Sequence, residues 1–293
     1  MSSDICAANA NLQPENMANL NLLAKAHNWY ENGMECALAT VIETWGSSPR
    51  PIGSQLVINE KGEFEGSVSG GCIETSVVTE ALDVIESGRS ELLEFGVSDA
   101  MAWEVGLACG GKVQVFVQKL SFEEDSPFLE ILSAIKNAKT LVSFTNIKTG
   151  IVSCWLPDSE QPCPYDELYE SIEKVIRRDK GHFTQTNTGE DIFINPHNPP
   201  MRLFVIGAVH ISQALVPIAQ QLGYDVTIID HRTAWANPER FPNVALDRRW
   251  ADEALAGVDL NHRCAIVTLT HDPKLDDPAL TTALKSNAFY IGA

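Results

Sequence analysis

The stretch that most limits the fold is Arg202 to Asp230, "RLFVIGAVHISQALVPIAQQLGYDVTIID". It reads as a buried strand, a glycine turn, a helix and a second buried strand. A near-continuous apolar strand belongs in a parallel sheet covered on both faces. The same rhythm returns in "CAIVTLT", "DPALTTALKSN" and "AFYIG", with no internal repeat. The expectation is an α/β chain: an N-terminal α+β domain over 1–195, then a Rossmann-like parallel-sheet domain over 201–293. "INPHNPPM" at 194–201 is rich in Pro and Asn and reads as the linker between them.

Upstream, residues 12–33 read as a helix ending near Gly33. Short apolar runs follow, "CALATVIETWG" and "SQLVINEKGEFEGSV", the second folding back as a hairpin around Lys61-Gly62. A helix is expected after Cys72, strands in "SELLEFGV" and "GGKVQVFVQKL", then helices over 125–138 and 165–179 flanking "TLVSFTN" and "GIVSCWLP".

The 293 residues carry a formal charge of -18. Such a field repels nucleic acid and anionic membrane, so neither is an expected partner. An anionic ligand needs a local Arg, Lys or N–H cluster to overrule it. No stretch approaches the ~20 apolar residues of a membrane span. The N-terminus lacks a basic segment followed by an apolar run. Seven scattered cysteines, never in Cys-x-x-Cys, fit neither a disulfide framework nor a Cys-type zinc site. A cytoplasmic location with reduced thiols is the expectation, with no metal set proposed.

A dinucleotide turn needs glycine where the backbone bends and nears a pyrophosphate. Gly207 meets that need, but Val209 and Ser212 hold the other two glycine positions. Asp230, at the end of the second strand, suits a ribose 2′-OH, and Arg232 a 2′-phosphate or other anion. NAD(P) is therefore a candidate cofactor, and an NAD(P)-dependent oxidoreductase the alternative function. His210, Thr270, His271 and Asp272 sit just past strands and are candidates for the same crevice. Asp272-Pro273 is equally ordinary helix-capping chemistry.

In the first domain, Gly70 and Gly71 precede Cys72, while Gly110 and Gly111 follow Cys109. Glycines remove side chains that would shield a sulfur. Cys72 stands at an expected helix N-terminus, where free N–H groups favour a thiolate. The competing reading is simple packing, the usual fate of a free cysteine. Arg50 lies between two prolines in "WGSSPRPIGSQL", a stiff loop that pre-organises a guanidinium for an anion.

Taken together, "WGSSPRPIGSQLVI", "GSVSGGCIE", "WEVGLACGGKVQVFV", "IGAVHISQAL" and "THDPKLDDPAL" resemble the XdhC/CoxI family, from about residue 36 to the end. The resemblance implies a maturation factor for xanthine or carbon monoxide dehydrogenases. Such a protein binds the molybdenum cofactor (molybdopterin), protects it during sulfuration and delivers it to a molybdenum hydroxylase. Its partners are that client and a sulfur-donor protein. It further implies that Cys72, Cys109, Arg50, Gly70, Gly71, Gly207, His210, Asp230, Arg232, His271 and Asp272 handle the cofactor. Similar proteins continue past "AFYIGA" into a basic segment and more helix. The second domain therefore reads as truncated at its C-terminus, and the sheet face left uncovered makes a homodimer the expectation.

Overall fold

The computed structural model describes residues 14–46, 48, 50–96 and 111–293. The chain divides between Pro199 and Pro200, with 18–199 in one compact unit and 200–293 in the other.

The first unit holds helix α1 (Pro14–Glu31) from residue 18 onward, strands β1 (Cys36–Trp45), β2 (Gln55–Asn59) and β3 (Phe64–Gly66), helix α2 (Glu74–Ser87), and strands β4 (Glu91–Phe95) and β5 (Lys112–Leu120). Next come helix α3 (Pro127–Lys136), strands β6 (Leu141–Asn146) and β7 (Val152–Trp155), helix α4 (Tyr169–Arg178), and strands β8 (His182–Gln185) and β9 (Asp191–His197). Two antiparallel sheets result, ordered β3-β2-β1-β5-β4 and β7-β6-β9-β8.

Alternation along the strands gives each sheet two faces. Ala37, Ala39 and Val41 of β1, with Val113, Val115 and Val117 of β5, pack under Val77, Ala81 and Val84 of α2. Gly88 ends that helix in the left-handed region (φ 69°) and returns its N–H to the Val84 carbonyl. On the opposite face, Leu38 and Leu120 meet Leu23 and Ala26 of α1 and Ile131 of α3. Ser126 caps α3, its Oγ accepting the Phe128 N–H, with Pro127 in the first turn. In the second sheet, Val142, Phe144, Ile192 and Ile194 bury against Ile172 and Val175 of α4. Ile42, Phe116 and Phe193 form a small cluster joining the inner faces.

The division between the units falls inside the segment read as a linker at 194–201, but the first half of that segment is strand. Ile194 to His197 complete β9, and Pro196 stands opposite Val142 of β6. The β8 register ends at Ile194, so beyond it β9 has a partner on one side only. A residue without an N–H is tolerated there.

The second unit runs β10 (Met201–Ile206), α5 (His210–Gln221), β11 (Tyr224–Ile229), β12 (Ala245–Asp247), α6 (Ala251–Ala256), β13 (Cys264–Thr268), α7 (Pro273–Ala283) and β14 (Tyr290–Gly292). The sheet is parallel throughout, in the order β12-β11-β10-β13-β14. α5 covers one face through Val216 and Ala219, and α6 and α7 cover the other through Ala254, Leu255, Ala279 and Ala283. This is the expected Rossmann-like doubly wound arrangement.

Candidate functional site

In the first unit the chemistry gathers at one end of the five-stranded sheet. The Arg50 loop leaves β1 at Trp45 and enters β2 at Gln55, and the cysteine loop leaves β3 at Gly66. The two are tied by Ser67 N–H donating to the Gln55 carbonyl at 3.0 Å. A Cβ on Gly66 (φ 99°) would collide with that same carbonyl oxygen, so glycine is required where the loops touch. Phe95 ends β4 and Lys112 begins β5 at this end of the sheet, Phe95 paired with Val113 and Lys112 with Trp45. Cys109, expected as the second glycine-flanked thiol, lies outside the described residues.

The cysteine loop is wrapped around a carboxylate that the motif reading did not single out. Glu74, 7% exposed, opens α2 and turns its side chain back into the loop. Its Oε1 accepts from Ser67 Oγ (2.8 Å) and from the N–H groups of Val68 (3.2 Å), Ser69 (2.9 Å) and Gly70 (3.1 Å). Its Oε2 accepts from Ser69 Oγ (2.5 Å) and the Gly71 N–H (2.9 Å). Burial alone would raise this carboxyl's pKa. The hydrogen bonds from Ser69 and Ser67 overcome burial and hold it at about 2. Gly70 (φ 80°) and Gly71 (φ 116°) take the left-handed backbone that aims successive N–H groups inward.

This corrects the expected role of the helix N-terminus. The N–H groups of Cys72 and Ile73 donate to Ser69 Oγ, each at 3.0 Å, and those of Gly70 and Gly71 to Glu74. The donors assigned to a thiolate or a phosphate are thus satisfied by the protein's own oxygens. What remains of the expectation is exposure. Of the five described cysteines Cys72 alone is exposed; Cys36 and Cys264 are buried, Cys154 and Cys163 half-buried. Burial pushes the thiols of Cys36 and Cys154 up to about 12, and raises those of Cys163 and Cys264. Arg50 is half-buried; its carbonyl accepts from Ser48 Oγ at 2.9 Å, while its buried Nε has no acceptor.

The second unit brings several expected residues together at the carboxyl ends of β10, β11 and β13. Gly207 has φ 113°, and a Cβ there would stand 2.6 Å from Thr270 Cγ2. Its glycine makes room for the Thr270 loop. That loop is closed on itself: Thr270 Oγ1 donates to Asp276 Oδ1 (2.7 Å), and the N–H of His271 to Asp276 Oδ2 (2.9 Å). Asp272 caps α7 by accepting the Lys274 N–H at 3.0 Å. His210 and His271 are exposed, His271 with a left-handed φ of 58°.

Asp230 does not present itself to a ribose. Its side chain is fully enclosed. Oδ1 accepts from Arg232 N (3.0 Å) and Nε (2.9 Å), Oδ2 from Arg232 Nη2 (2.7 Å) and the Ala208 N–H (2.9 Å). A carboxylate has about four lone-pair positions, and all four are taken. Burial raises its pKa, but these hydrogen bonds, first those of Arg232, win and lower it. Arg232 is thereby a staple for the turn rather than a free anion hook. Arg240 and Trp235, which the motifs did not suggest, complete the wall. Arg240 Nη1 donates to the carbonyls of Ala208 (2.8 Å) and Trp235 (2.9 Å). The Trp235 ring lies 4.7 Å from the Arg232 guanidinium and 5.4 Å from that of Arg240.

The model of the XdhC and CoxI family matches residues 29–96, and that of the XdhC Rossmann domain matches residues 203–293, together more than half of the chain. The chain belongs to the XdhC/CoxI family. Both glycine-rich loops described around Arg50 and Cys72 fall within the first match, and the Gly207–Asp230 turn and Thr270 loop within the second. The molybdenum cofactor insertion chaperone PaoD of Escherichia coli (strain K12) is 28% identical over 265 residues, covering 89% of this chain and 67% of that protein. A probable xanthine dehydrogenase subunit from Bacillus subtilis (strain 168) is 24% identical over 274 residues, 89% of this chain and 80% of that one. A crystal structure of a xanthine dehydrogenase from Bacillus halodurans has the same fold, with a TM-score of 0.73 at 18% identity. The match spans 94% of this XdhC/CoxI chain and 81% of that one.

Proposed function

We propose that this XdhC/CoxI protein is an accessory factor that binds the molybdenum cofactor and delivers it to a molybdenum hydroxylase. The observation that carries the reading is Cys72. It is an exposed sulfur beside two glycines, on a loop locked from behind by a buried carboxylate. Molybdenum in its dithiolene setting is a soft centre, and a thiolate is the matching ligand. Arg50, whose buried Nε has no acceptor, is the cation for the pterin phosphate. The residues present therefore fit the group: the cofactor supplies the metal and its sulfurs, while this chain supplies a thiolate, a guanidinium and a rigid loop. Cys109 is the second thiol of the same reading. Kinship with a chaperone named for molybdenum cofactor insertion supports the assignment.

The finer parts of the reading are protection during sulfuration by a donor protein, a client of the xanthine or carbon monoxide dehydrogenase type, a cytoplasmic location and a homodimer. Among the described residues no helix is long and apolar enough to cross a membrane. Nothing in the Gly207 crevice favours NAD(P), since Asp230 has no acceptor site left for a ribose hydroxyl. The test is retention of cofactor through gel filtration, with molybdenum and pterin measured in the protein peak. The parent is expected to carry both. Cys72→Ala and Arg50→Ala are each expected to retain several-fold less. Equal retention by both variants would overturn the assignment of this loop pair.

A further inference from the structure

The two sheets of the first unit meet across a seam in which buried polar side chains stand beside the apolar Ile42, Phe116 and Phe193 cluster. Thr40 of β1, Gln55 of β2 and Gln118 of β5 face Ser143 of β6 and Asn195 and His197 of β9, around a cavity of about 20 Å³. Five of these six, all but His197, are less than 9% exposed. Strand register explains the gathering: Thr40 pairs with Gln55, and Ser143 with Asn195, so each sheet contributes adjacent polar side chains to one face.

Gln55 is the decisive member. It is 4% exposed, and its Oε1 is buried without a hydrogen-bond partner. Its Nε2 reaches Thr40 Oγ1 only at a long 3.5 Å. Rotating the amide by 180° exchanges the two atoms and leaves a buried donor unmet in place of a buried acceptor. Either way one polar atom of a buried amide is left unmet beside a small cavity lined by polar and apolar side chains alike, an arrangement that is costly when dry. No lining residue is acidic, which argues against a cation. The volume admits about one water and nothing larger.

We propose that this seam is a binding site for a single internal water. It bonds the Gln55 amide on one side and at least one of Ser143 and Asn195 on the other, so that it bridges the two sheets. The same residue whose amide holds the water receives the Ser67 N–H on its backbone carbonyl, at the foot of the cysteine loop.

Two measurements test it. A high-resolution crystal structure of the full chain is expected to place one ordered water within hydrogen-bond distance of the Gln55 amide. Water oxygen-17 relaxation dispersion is expected to count one fewer long-lived water in Thr40→Val/Gln55→Leu than in the parent. A dry seam, a Gln55 amide satisfied by a protein group, or the same count in both proteins would overturn the proposal. If the double variant fails to fold, the parent's electron density decides alone.

Discussion

Replacing Glu74 with Gln keeps the shape of the side chain and removes its charge. The consequence can be worked from the site. The folded carboxyl sits at about 2 against an ordinary 4.5. At about 1.4 kcal/mol per pKa unit, that gap is about 3 kcal/mol of differential stabilisation of the charged form. Glu74 is 7% exposed, so solvent screening takes little of it. In the Gln variant one oxygen becomes an NH2 that faces the Gly71 N–H and a Ser69 hydroxyl already accepting from Cys72 and Ile73. About 3 kcal/mol corresponds to about a 10²-fold faster hydrogen exchange of the Gly70 and Gly71 amides at neutral pH. The sign in pH follows from a depressed carboxyl. Its contribution is complete above 4.5 and is lost as pH falls towards 2. In the parent the protection of these amides, corrected for intrinsic rates, fades across that window. In Glu74→Gln the fade is absent. Exchange rates within about threefold of the parent at neutral pH would refute the claim that this carboxylate organises the cysteine loop.

Further outcomes follow from the same geometry. The His197 ring, packed in the seam between the sheets, is held at about 4 against an ordinary 6.5, chiefly by desolvation and against the pull of Asp179. The fold therefore prefers it neutral, and stability is expected to fall as pH drops from 6.5 to 4, a slope that His197→Asn removes in denaturant titrations. Among the five described cysteines, Cys72 is expected to be alkylated first by iodoacetamide at neutral pH, with Cys36 and Cys154 the slowest; peptide mapping reads the order. Arg232→Ala leaves Asp230 buried with only the Ala208 N–H and the backbone N–H of residue 232, and is expected to destabilise the second unit by about 2 kcal/mol in urea unfolding. NADPH is expected to produce no saturable fluorescence change in the parent, and saturable binding would mean that the Asp230 cage opens.

The second unit was readable because its physics is local: a parallel sheet buried on both faces writes itself as unbroken apolar runs, as in Leu203 to Ile206 and Ala265 to Val267. Elsewhere the cues conflict. Pro196 and the neighbouring Asn198-Pro199-Pro200 resemble a linker, although β9 continues to His197 along a single neighbour. Gln118 and Thr40 alternate with apolar residues like the wet face of a sheet, but a second sheet covers them. The exposure of Cys72 was within reach of the sequence. The carboxylate behind it was not, because an acidic residue in a first helical turn is commonplace. The signal was there in the serines seven and five residues before Glu74 and the glycine pair between, a spacing that lets a short loop close on one side chain. Asp230 failed as a ribose ligand for a similar reason: Arg232 two residues on was read as a second hook rather than as its partner.

The most direct test is molybdenum K-edge X-ray absorption on the cofactor-loaded protein and on Cys72→Ser loaded identically. A thiolate from this loop predicts a molybdenum–sulfur shell larger by one scatterer in the parent than in the variant. Indistinguishable sulfur shells would contradict it, and leave Cys72 an exposed thiol with no part in holding the metal.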